Sequence, residues 1–205
     1  MKEFLSFVKT FHKKYVYERR VRVLSEIVAE HILDNALVLD VGCGEGTIGY
    51  LLKQKKPSVT CIGLEVTNAF AFKIPHKLFD GQKIPFHNNE VDVCLFIDVL
   101  HHTQDMSALL NEAKRVAKHS VIIKDHVCET KYDFLMLKIM DWIGNKPHGI
   151  DLPYNYKSKK EWEEIFRECG LKKNFWTTNI PLYRFPLKQV CGRKLHFVAC
   201  LEKIQ

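Results

Sequence analysis

The chain has 205 residues, of which 46% are hydrophobic, enough for one domain with a full core but not for a second catalytic domain. The formal charge is +7, concentrated in residues 1–22, where seven Lys or Arg face two Glu. The seven cysteines form no C-x-x-C pair or finger spacing, which argues against a disulfide scaffold or zinc finger. No secretory leader or membrane-length apolar run is evident, so we expect a cytoplasmic protein without a transmembrane segment.

The N-terminal segment combines positive charge with aromatic residues at helical spacing. Residues 5–33 are predicted to be helical, and three interpretations compete for their basic face. In order of preference these are a helix packed on the domain, a lid over an active site, and a membrane or nucleic-acid contact. We expect residues 1–34 to form a basic helical cap and residues 35–205 the main domain. The aromatic residues are Phe4, Phe7, Phe11 and Tyr15.

A predicted buried strand at residues 37–40 ends in an acid and turns through glycines at alternate positions. Glycine adopts positive φ without strain and lets a ligand approach the backbone. A carboxylate at the end of a buried strand needs amide donors or a cation. The pattern therefore indicates a nucleoside-cofactor site. It comprises Asp40, Gly42, Cys43, Gly44 and Gly46.

The same glycines also allow a dinucleotide site. Gly44, Gly46 and Gly49 spell G-x-G-x-x-G, and Glu65 follows about 20 residues on. The dinucleotide fingerprint begins as its strand ends, whereas here an additional glycine turn intervenes. The placement disfavours a dinucleotide.

Strands alternate with helical patterns along the rest of the chain, which predicts a mostly parallel α/β sheet. Ser158 and Glu161 form a predicted capping box, and Gly170 ends the helix that follows. Glu65 ends the second strand, where a carboxylate can accept hydrogen bonds from both ribose hydroxyls. The further strands are predicted at residues 59–65, 91–98, 121–124, 171–177 and 195–201, and a helix at 105–117.

The glycine turn resembles the D/E-x-G-x-G-x-G motif of class I S-adenosylmethionine-dependent methyltransferases. The resemblance is to the type 11 branch, which acts on small molecules such as quinone precursors, and it covers residues 36–125 well. It implies an α/β doubly wound, seven-stranded, mostly parallel sheet with helices on both faces. The implied strand order is 3-2-1-4-5-7-6, with the last strand antiparallel. The third strand is expected to be stunted, since residues 66–79 are few and include Pro75.

The resemblance also implies which residues bind S-adenosyl-L-methionine. The glycine turn would bind the methionyl end of the cofactor, and Glu65 with Val66 would bind the ribose. Asp98 and Val99, together with the histidines that follow, would lie near the methyl group. Asp80 and Gly81 match the segment that contacts adenine, although Asp-Gly is also a common turn pair.

Methyl transfer from a sulfonium depends mainly on placement, and a base is needed only for acceptors protonated at neutral pH. His101, His102 and His126 are the candidates for that base, and each can equally be a hydrogen-bonded core histidine. Although His101, His102 and Asp105 suggest a metal, adjacent histidines point apart and no third ligand at helical spacing is evident. We expect no metal.

The acceptor side is predicted at residues 124–158, a helix and an aromatic loop that includes Trp142, Tyr154 and Tyr156. No Asn-Pro-Pro-Tyr-like tetrapeptide follows the fourth strand, which disfavours nucleic-acid amino groups as acceptors. The leading hypothesis is a small-molecule methyltransferase, and nucleic acid is a less favoured partner. The alternatives are an RNA methyltransferase, a non-catalytic cofactor-binding partner subunit and, last, an NAD oxidoreductase. The sequence does not predict the oligomeric state.

Overall fold

The computed structural model describes residues 17–145, 153–185, 187–192 and 194–204. Within these ranges one seven-stranded sheet has the order β3-β2-β1-β4-β5-β7-β6, which confirms the expected topology. The strands are β1 (Leu37–Val41), β2 (Thr60–Glu65), β3 (His76–Leu78), β4 (Val91–Ile97), β5 (Ala117–His126), β6 (Leu171–Thr177) and β7 (His196–Lys203). The helices are α1 (Glu18–Glu30), α2 (Thr47–Lys55), α3 (Met106–Val116), α4 (Lys131–Asn145), α5 (Lys159–Glu168) and α6 (Leu187–Cys191).

The strand directions also agree with the prediction. Strands β1 to β5 pair in parallel, and β7 runs antiparallel to both of its neighbours, β5 and β6. Strand β3 has only three residues, as expected from the short segment that precedes it. Because the parallel strands end at the same edge, their polar terminal residues meet there.

Two predicted elements had wrong boundaries. Strand β5 begins at Ala117, four residues before the predicted start. The polar residue Lys118 does not fit an apolar strand pattern, but in the structure it pairs with Asp92 of β4 at 3.1 Å. Helix α1 ends at Glu30, before the predicted residue 33. The backbone forms a tight turn after Glu30, and this turn buries Ile32. Residues 1–16, with the aromatic residues of the predicted cap, lie outside the described residues.

Helices cover both faces of the sheet, as expected for a doubly wound fold. Alternate residues of a strand point to opposite faces. Val38 packs with residues of α1 and α2, whereas Leu39 packs with residues of α3 and α5. The described part of the N-terminal helix is therefore part of the main core. No helix among the described residues is long and apolar enough to span a membrane.

The predicted capping box at the start of α5 is present. Ser158 Oγ accepts a hydrogen bond from the Glu161 backbone, and Glu161 Oε2 accepts one from the Ser158 backbone at 2.7 Å. Gly170, at φ +63°, follows the end of this helix. Trp162 is fully buried, and its Nε1 donates to the carbonyl of His126 at 2.9 Å. The cap thus fixes a helix that supports the end of β5.

The substitution Ser158→Ala removes the acceptor for an otherwise unpaired helix amide. We expect the free energy of unfolding to fall by about 1 kcal/mol. Urea unfolding followed by circular dichroism measures this change. Lys160→Ala is the matched control, since Lys160 is an exposed residue of the same helix with only a weak pair to Glu164. Equal stability of the Ser158 variant and wild type would contradict the capping role.

Candidate functional site

The glycine turn is held against the end of β2 by backbone hydrogen bonds. The amides of Gly42 and Cys43 both donate to the carbonyl of Leu64, at 2.8 and 3.0 Å. Gly42, Gly44 and Gly46 have φ of +70°, +54° and +73°, in the left-handed region that favours glycine. The three glycines therefore occupy positions where the backbone has a positive φ.

Two of these glycines meet different surroundings. A Cβ on Gly42 would lie 2.6 Å from Cγ2 of Val99, so Val99, two residues after β4, lies directly against this turn. A Cβ on Gly44 would meet no atom within 4 Å. The bare backbone at Gly44 therefore faces open space, which is the opening a cofactor needs at this point.

Glu65 is held at the rim of that opening. Its two carboxylate oxygens accept hydrogen bonds from the amides of Gly44 and Val66, at 2.8 and 2.9 Å. A carboxylate oxygen can accept more than one hydrogen bond, so these contacts orient the group without exhausting it. The geometry suits recognition of neighbouring hydroxyls.

Asp40 lies beneath the turn and is almost completely buried. Burial, reinforced by repulsion from the Glu65 carboxylate, raises the pKa of Asp40 to about 7, while a hydrogen bond from the Gly49 backbone opposes the shift. A cation bound at this edge would favour the charged form. The role of Asp40 toward a positively charged ligand stays a prediction.

Asp80 and Gly81 lie beside the end of β2. A Cβ on Gly81 would come within 3.4 Å of Cγ1 of Val66, which places this turn on the same rim. Oδ1 of Asp80 accepts hydrogen bonds from the amides of Gln82 and Lys83, both at 2.8 Å. The amides of Lys83 and Gln82 lower the pKa of Asp80. The acid therefore forms a local turn, and its role toward adenine stays a prediction.

A cluster of charged and imidazole side chains lies beyond the ends of β4 and β5, next to Val99. We call it the polar cluster. Most of these side chains are buried, which is costly unless each charge is paired. It consists of Asp98, His101, His102, Lys124, Asp125, His126, Asp141 and His196.

Two cations pair with Asp98, which has a positive φ of +57° at the end of β4. Lys124 of β5 contacts one carboxylate oxygen and Arg20 of α1 contacts the other. Burial, together with the charge of Arg20, lowers the pKa of Lys124 well below its ordinary value. Lys124 Nζ also lies 3.3 Å from Nδ1 of His196. The Asp98 carboxylate, predicted for the methyl region, is thus committed to protein cations.

His101 lies between two carboxylates. Its Nδ1 is 2.6 Å from Oδ1 of Asp125, and its Nε2 is 3.4 Å from Oδ2 of Asp141. Burial disfavours a charged ring, but the charges and hydrogen bonds of Asp125 and Asp141 outweigh it and raise the pKa of His101 to about 9. The gap between the two acids therefore favours a positive charge.

The other two predicted histidines are held in the neutral form. Burial and repulsion from His101 lower the pKa of His102 to about 4 and that of His126 to about 3. His126 is buried, and its Nδ1 lies 3.2 Å from Asp125. His102 is half-buried. The structure brings all three rings together, and their catalytic role stays a prediction.

Several members of this site were not singled out as site residues from the sequence. Arg20 comes from α1, Asp141 from α4, and His196 begins β7. Tyr156 donates its hydroxyl hydrogen bond to Asp141, from the predicted acceptor segment. A sequence signal existed only for Asp141, an acid in an otherwise apolar stretch of helix. Residues 146–152 of that segment lie outside the described residues.

The sheet order, the glycine turn and the acids at the strand ends define a class I nucleoside-cofactor fold of the methyltransferase type. Residues 39–123 match the family model described as a methyltransferase domain. This part of the chain is therefore similar to a class I, Rossmann-like methyltransferase domain, in agreement with the motif resemblance.

Individual proteins agree with this assignment. A methyltransferase of Schizosaccharomyces pombe is 28% identical over 135 residues, which cover 57% of this chain and 47% of that protein. This chain thus spans about half the length of that curated relative. An Aquifex aeolicus S-adenosylmethionine-dependent methyltransferase has a TM-score of 0.65 at 19% identity, covering 96% of this chain and 97% of that one.

A second similar protein was solved in complex with a partner protein. It is a complex between the Haloferax volcanii Trm112 methyltransferase activator and a methyltransferase. The matched chain has a TM-score of 0.70 and 17% identity, with 96% of this chain and 93% of that chain covered. At these identities the two solved structures support the fold alone.

The raised pKa of Asp40 makes stability depend on pH. Between about pH 4 and 7 the folded protein keeps a proton that the unfolded chain has released, so this residue lowers stability as pH rises through that window. The slope from one such group approaches about 1.4 kcal/mol per pH unit. We expect Asp40→Asn to gain stability relative to wild type from pH 4 to 7, measured by urea unfolding. A pH-independent difference between the two proteins would contradict the shift.

Proposed function

We propose that this protein is an S-adenosyl-L-methionine-dependent methyltransferase that transfers a methyl group to a small-molecule acceptor by in-line displacement. The supporting observation is a continuous edge of the sheet. The open backbone at Gly44 and the rim at Glu65 adjoin the polar cluster through Val99. A cofactor that lies along this rim would present its reactive end to the cluster.

The cofactor contacts proposed for each element follow from its chemistry. S-adenosyl-L-methionine supplies a methyl group on a sulfonium, which leaves as a neutral thioether. Asp40 provides negative charge below the glycine turn, and Glu65 provides acceptors for ribose hydroxyls. Asp80 and Gly81 would border the adenine. The chain's main contribution is to hold the reacting groups in line and away from water.

The residues around the acceptor side favour a small molecule. Arg19 and Arg20 belong to the basic N-terminal segment, yet Arg20 pairs with Asp98 and Arg19 donates to the carbonyl of Pro181 at 3.2 Å. These two cations are thus engaged within the protein rather than displayed for a phosphate backbone. Tyr156 and Asp141 close the cluster from the other side.

An acceptor that is protonated at neutral pH needs a group to take its proton. His101, His102 and His126 are the proposed candidates. His102 is the most accessible of the three, and its neutral ring keeps a lone pair available. The seven cysteines are free thiols, which supports the proposed cytoplasmic setting.

Two alternatives have their own tests. A non-catalytic or partner-dependent subunit is suggested by the Haloferax volcanii methyltransferase that forms a complex with an activator. It would bind the cofactor yet transfer no methyl group until a partner is added. An RNA methyltransferase would show RNA binding with a slope of about 0.7 per phosphate contact in log affinity against log salt.

The activity test uses cofactor carrying a labelled methyl group. The protein is incubated with small-molecule extracts and, separately, with total RNA, and the labelled product is identified by mass spectrometry. A labelled small molecule would support the proposal. Labelled RNA would replace it with the RNA alternative, and bound cofactor without any labelled product would favour the partner-dependent subunit.

Glu65→Ala should weaken binding of S-adenosylhomocysteine about 10- to 100-fold, the loss expected when hydrogen bonds to a charged group disappear. Isothermal titration calorimetry measures the affinity. Glu164→Ala is the matched control, an acid on α5 that is remote from the rim and should bind as wild type does. Unchanged affinity of the Glu65 variant would remove this residue from the cofactor site.

Gly44→Ala places a methyl group in the opening at the glycine turn, so we expect at least tenfold weaker binding of S-adenosylhomocysteine. The positive φ costs stability as well, about 1 to 3 kcal/mol. Gly170→Ala imposes a similar strain, at φ +63°, far from the site and should leave binding unchanged. NAD is titrated in parallel. Binding of NAD in place of S-adenosylhomocysteine would revive the dinucleotide interpretation.

A further inference from the structure

Three groups of histidine and aspartate bring one potential metal-ligating atom per residue within 4.8 Å of each other, among the described residues. The acids of all three groups have protein partners, and Asp141 of the third group accepts a hydrogen bond from Tyr156 on Oδ2. Asp98 is paired with Lys124 and Arg20, and Asp125 accepts hydrogen bonds from the backbone and ring of His126. The third group consists of His101, His102 and Asp141.

The third group differs because two of its ring nitrogens are unsatisfied. Nδ1 of His102 and Nε2 of His101 are buried and make no hydrogen bond of good geometry among the described residues, and the group that faces Nε2 is Asp141, at 3.4 Å. His101 itself is completely buried, and Asp141 is 5% exposed. Buried polar atoms normally form hydrogen bonds. Two adjacent ring nitrogens without one, beside a carboxylate, therefore indicate a bound ligand.

We propose that Nε2 of His101, Nδ1 of His102 and Oδ2 of Asp141 bind a divalent transition-metal ion, with Zn²⁺ as the ion that suits this donor set. Two imidazoles and one carboxylate are typical ligands of zinc sites that keep one position open. The sequence-based expectation of no metal rested on the absence of a third ligand. Asp141 supplies that ligand from α4.

The spacing of the ligand atoms fits a shared ion. Zinc bonds of about 2.0 to 2.1 Å in a tetrahedron place neighbouring ligand atoms about 3.3 Å apart. Nε2 of His101 and Oδ2 of Asp141 are 3.4 Å apart. The two atoms are too far apart for a good hydrogen bond but well separated for ligands of one metal.

The surrounding residues hold the ligands in the required state. Asp125 faces Nδ1 of His101 at 2.6 Å, which keeps a proton on that nitrogen, so that Nε2 is the nitrogen that would release its proton to bind a metal. Such a carboxylate behind a metal-bound histidine orients the ring and strengthens its donation. Tyr156 likewise donates to Asp141 and fixes its carboxylate.

A proton in the gap is the competing occupant. It would bridge His101 and Asp141, but it would leave Nδ1 of His102 without a partner. A metal ion satisfies all three atoms at once. The ion is therefore favoured over the proton, because it also satisfies the buried Nδ1 of His102. A measurement of bound metal distinguishes the two.

The location suggests a use, which rests on the proposed methyltransferase function. The fourth position would face the methyl region beside Val99. An acceptor hydroxyl there would release its proton to water more readily because a nearby cation stabilises the resulting oxyanion. The oxygen would then bond to the methyl carbon as the carbon–sulfur bond breaks, and both electrons of that bond would leave with the sulfur.

The test is metal binding by the full chain without cofactor. The reduced protein is stripped with a chelator and dialysed against Zn²⁺ or Co²⁺, and bound metal is counted by mass spectrometry. We expect one ion per chain. The affinity should fall more than about 100-fold in His102→Ala and in Asp141→Asn, since even the loss of an outer-shell partner costs 10- to 100-fold. His102 is half-buried, so its variant should fold, which circular dichroism checks.

His87→Ala is the matched control, because His87 is exposed and lies outside the group. No bound metal, or binding that is equal in wild type and both site variants, would overturn the proposal, and the first result would leave a proton as the occupant. A cobalt spectrum with strong sulfur-to-metal absorption would also overturn it by assigning the ion to cysteine. Calorimetry with S-adenosylhomocysteine on the same samples reports separately on the cofactor site.

Discussion

The arrangement of the polar cluster depends on the buried carboxylate of Asp125. It accepts hydrogen bonds from the amide of Leu100 at 3.1 Å, the ring of His101 at 2.6 Å and the amide of His126 at 2.7 Å. These contacts tie the turn after β4 to the end of β5 and set the orientation of the His101 ring. Because a buried carboxylate is costly when unpaired, the three donors and the acid stabilise one another only in this arrangement.

The polar cluster as a whole follows the same constraint. The carboxylates of Asp98, Asp125 and Asp141 alternate with basic side chains from α1, from the turn after β4 and from β5, so that each acid has a positive or hydrogen-bond-donating neighbour. No single element could supply this pattern. The sheet provides it by ending two adjacent parallel strands at one edge.

The sequence predicted what local pattern encodes. Apolar runs between helical patterns indicated the strands, the glycines at alternate positions indicated the cofactor turn, and Ser158 with Glu161 indicated a helix start that is present. The strand order came from family resemblance rather than from periodicity. Pairings such as His101 with Asp141 could not be predicted, since they join residues 40 positions apart through tertiary packing. The direction of two adjacent histidine rings is likewise set by Asp125 and not by their spacing.

The end of β5 carries consecutive charged residues whose side chains alternate between the two faces of the sheet. Ile122 packs on the face of α1 and α2, and Ile123 on the opposite face, so Lys124 and Asp125 continue that alternation. At the end of this strand, Lys124 thereby contacts Asp98 on one side and Asp125 contacts His101 on the other. A one-residue insertion or deletion within β5 would exchange these faces at once. Over evolutionary time, substitutions could accumulate along this strand, whereas its length has no such freedom.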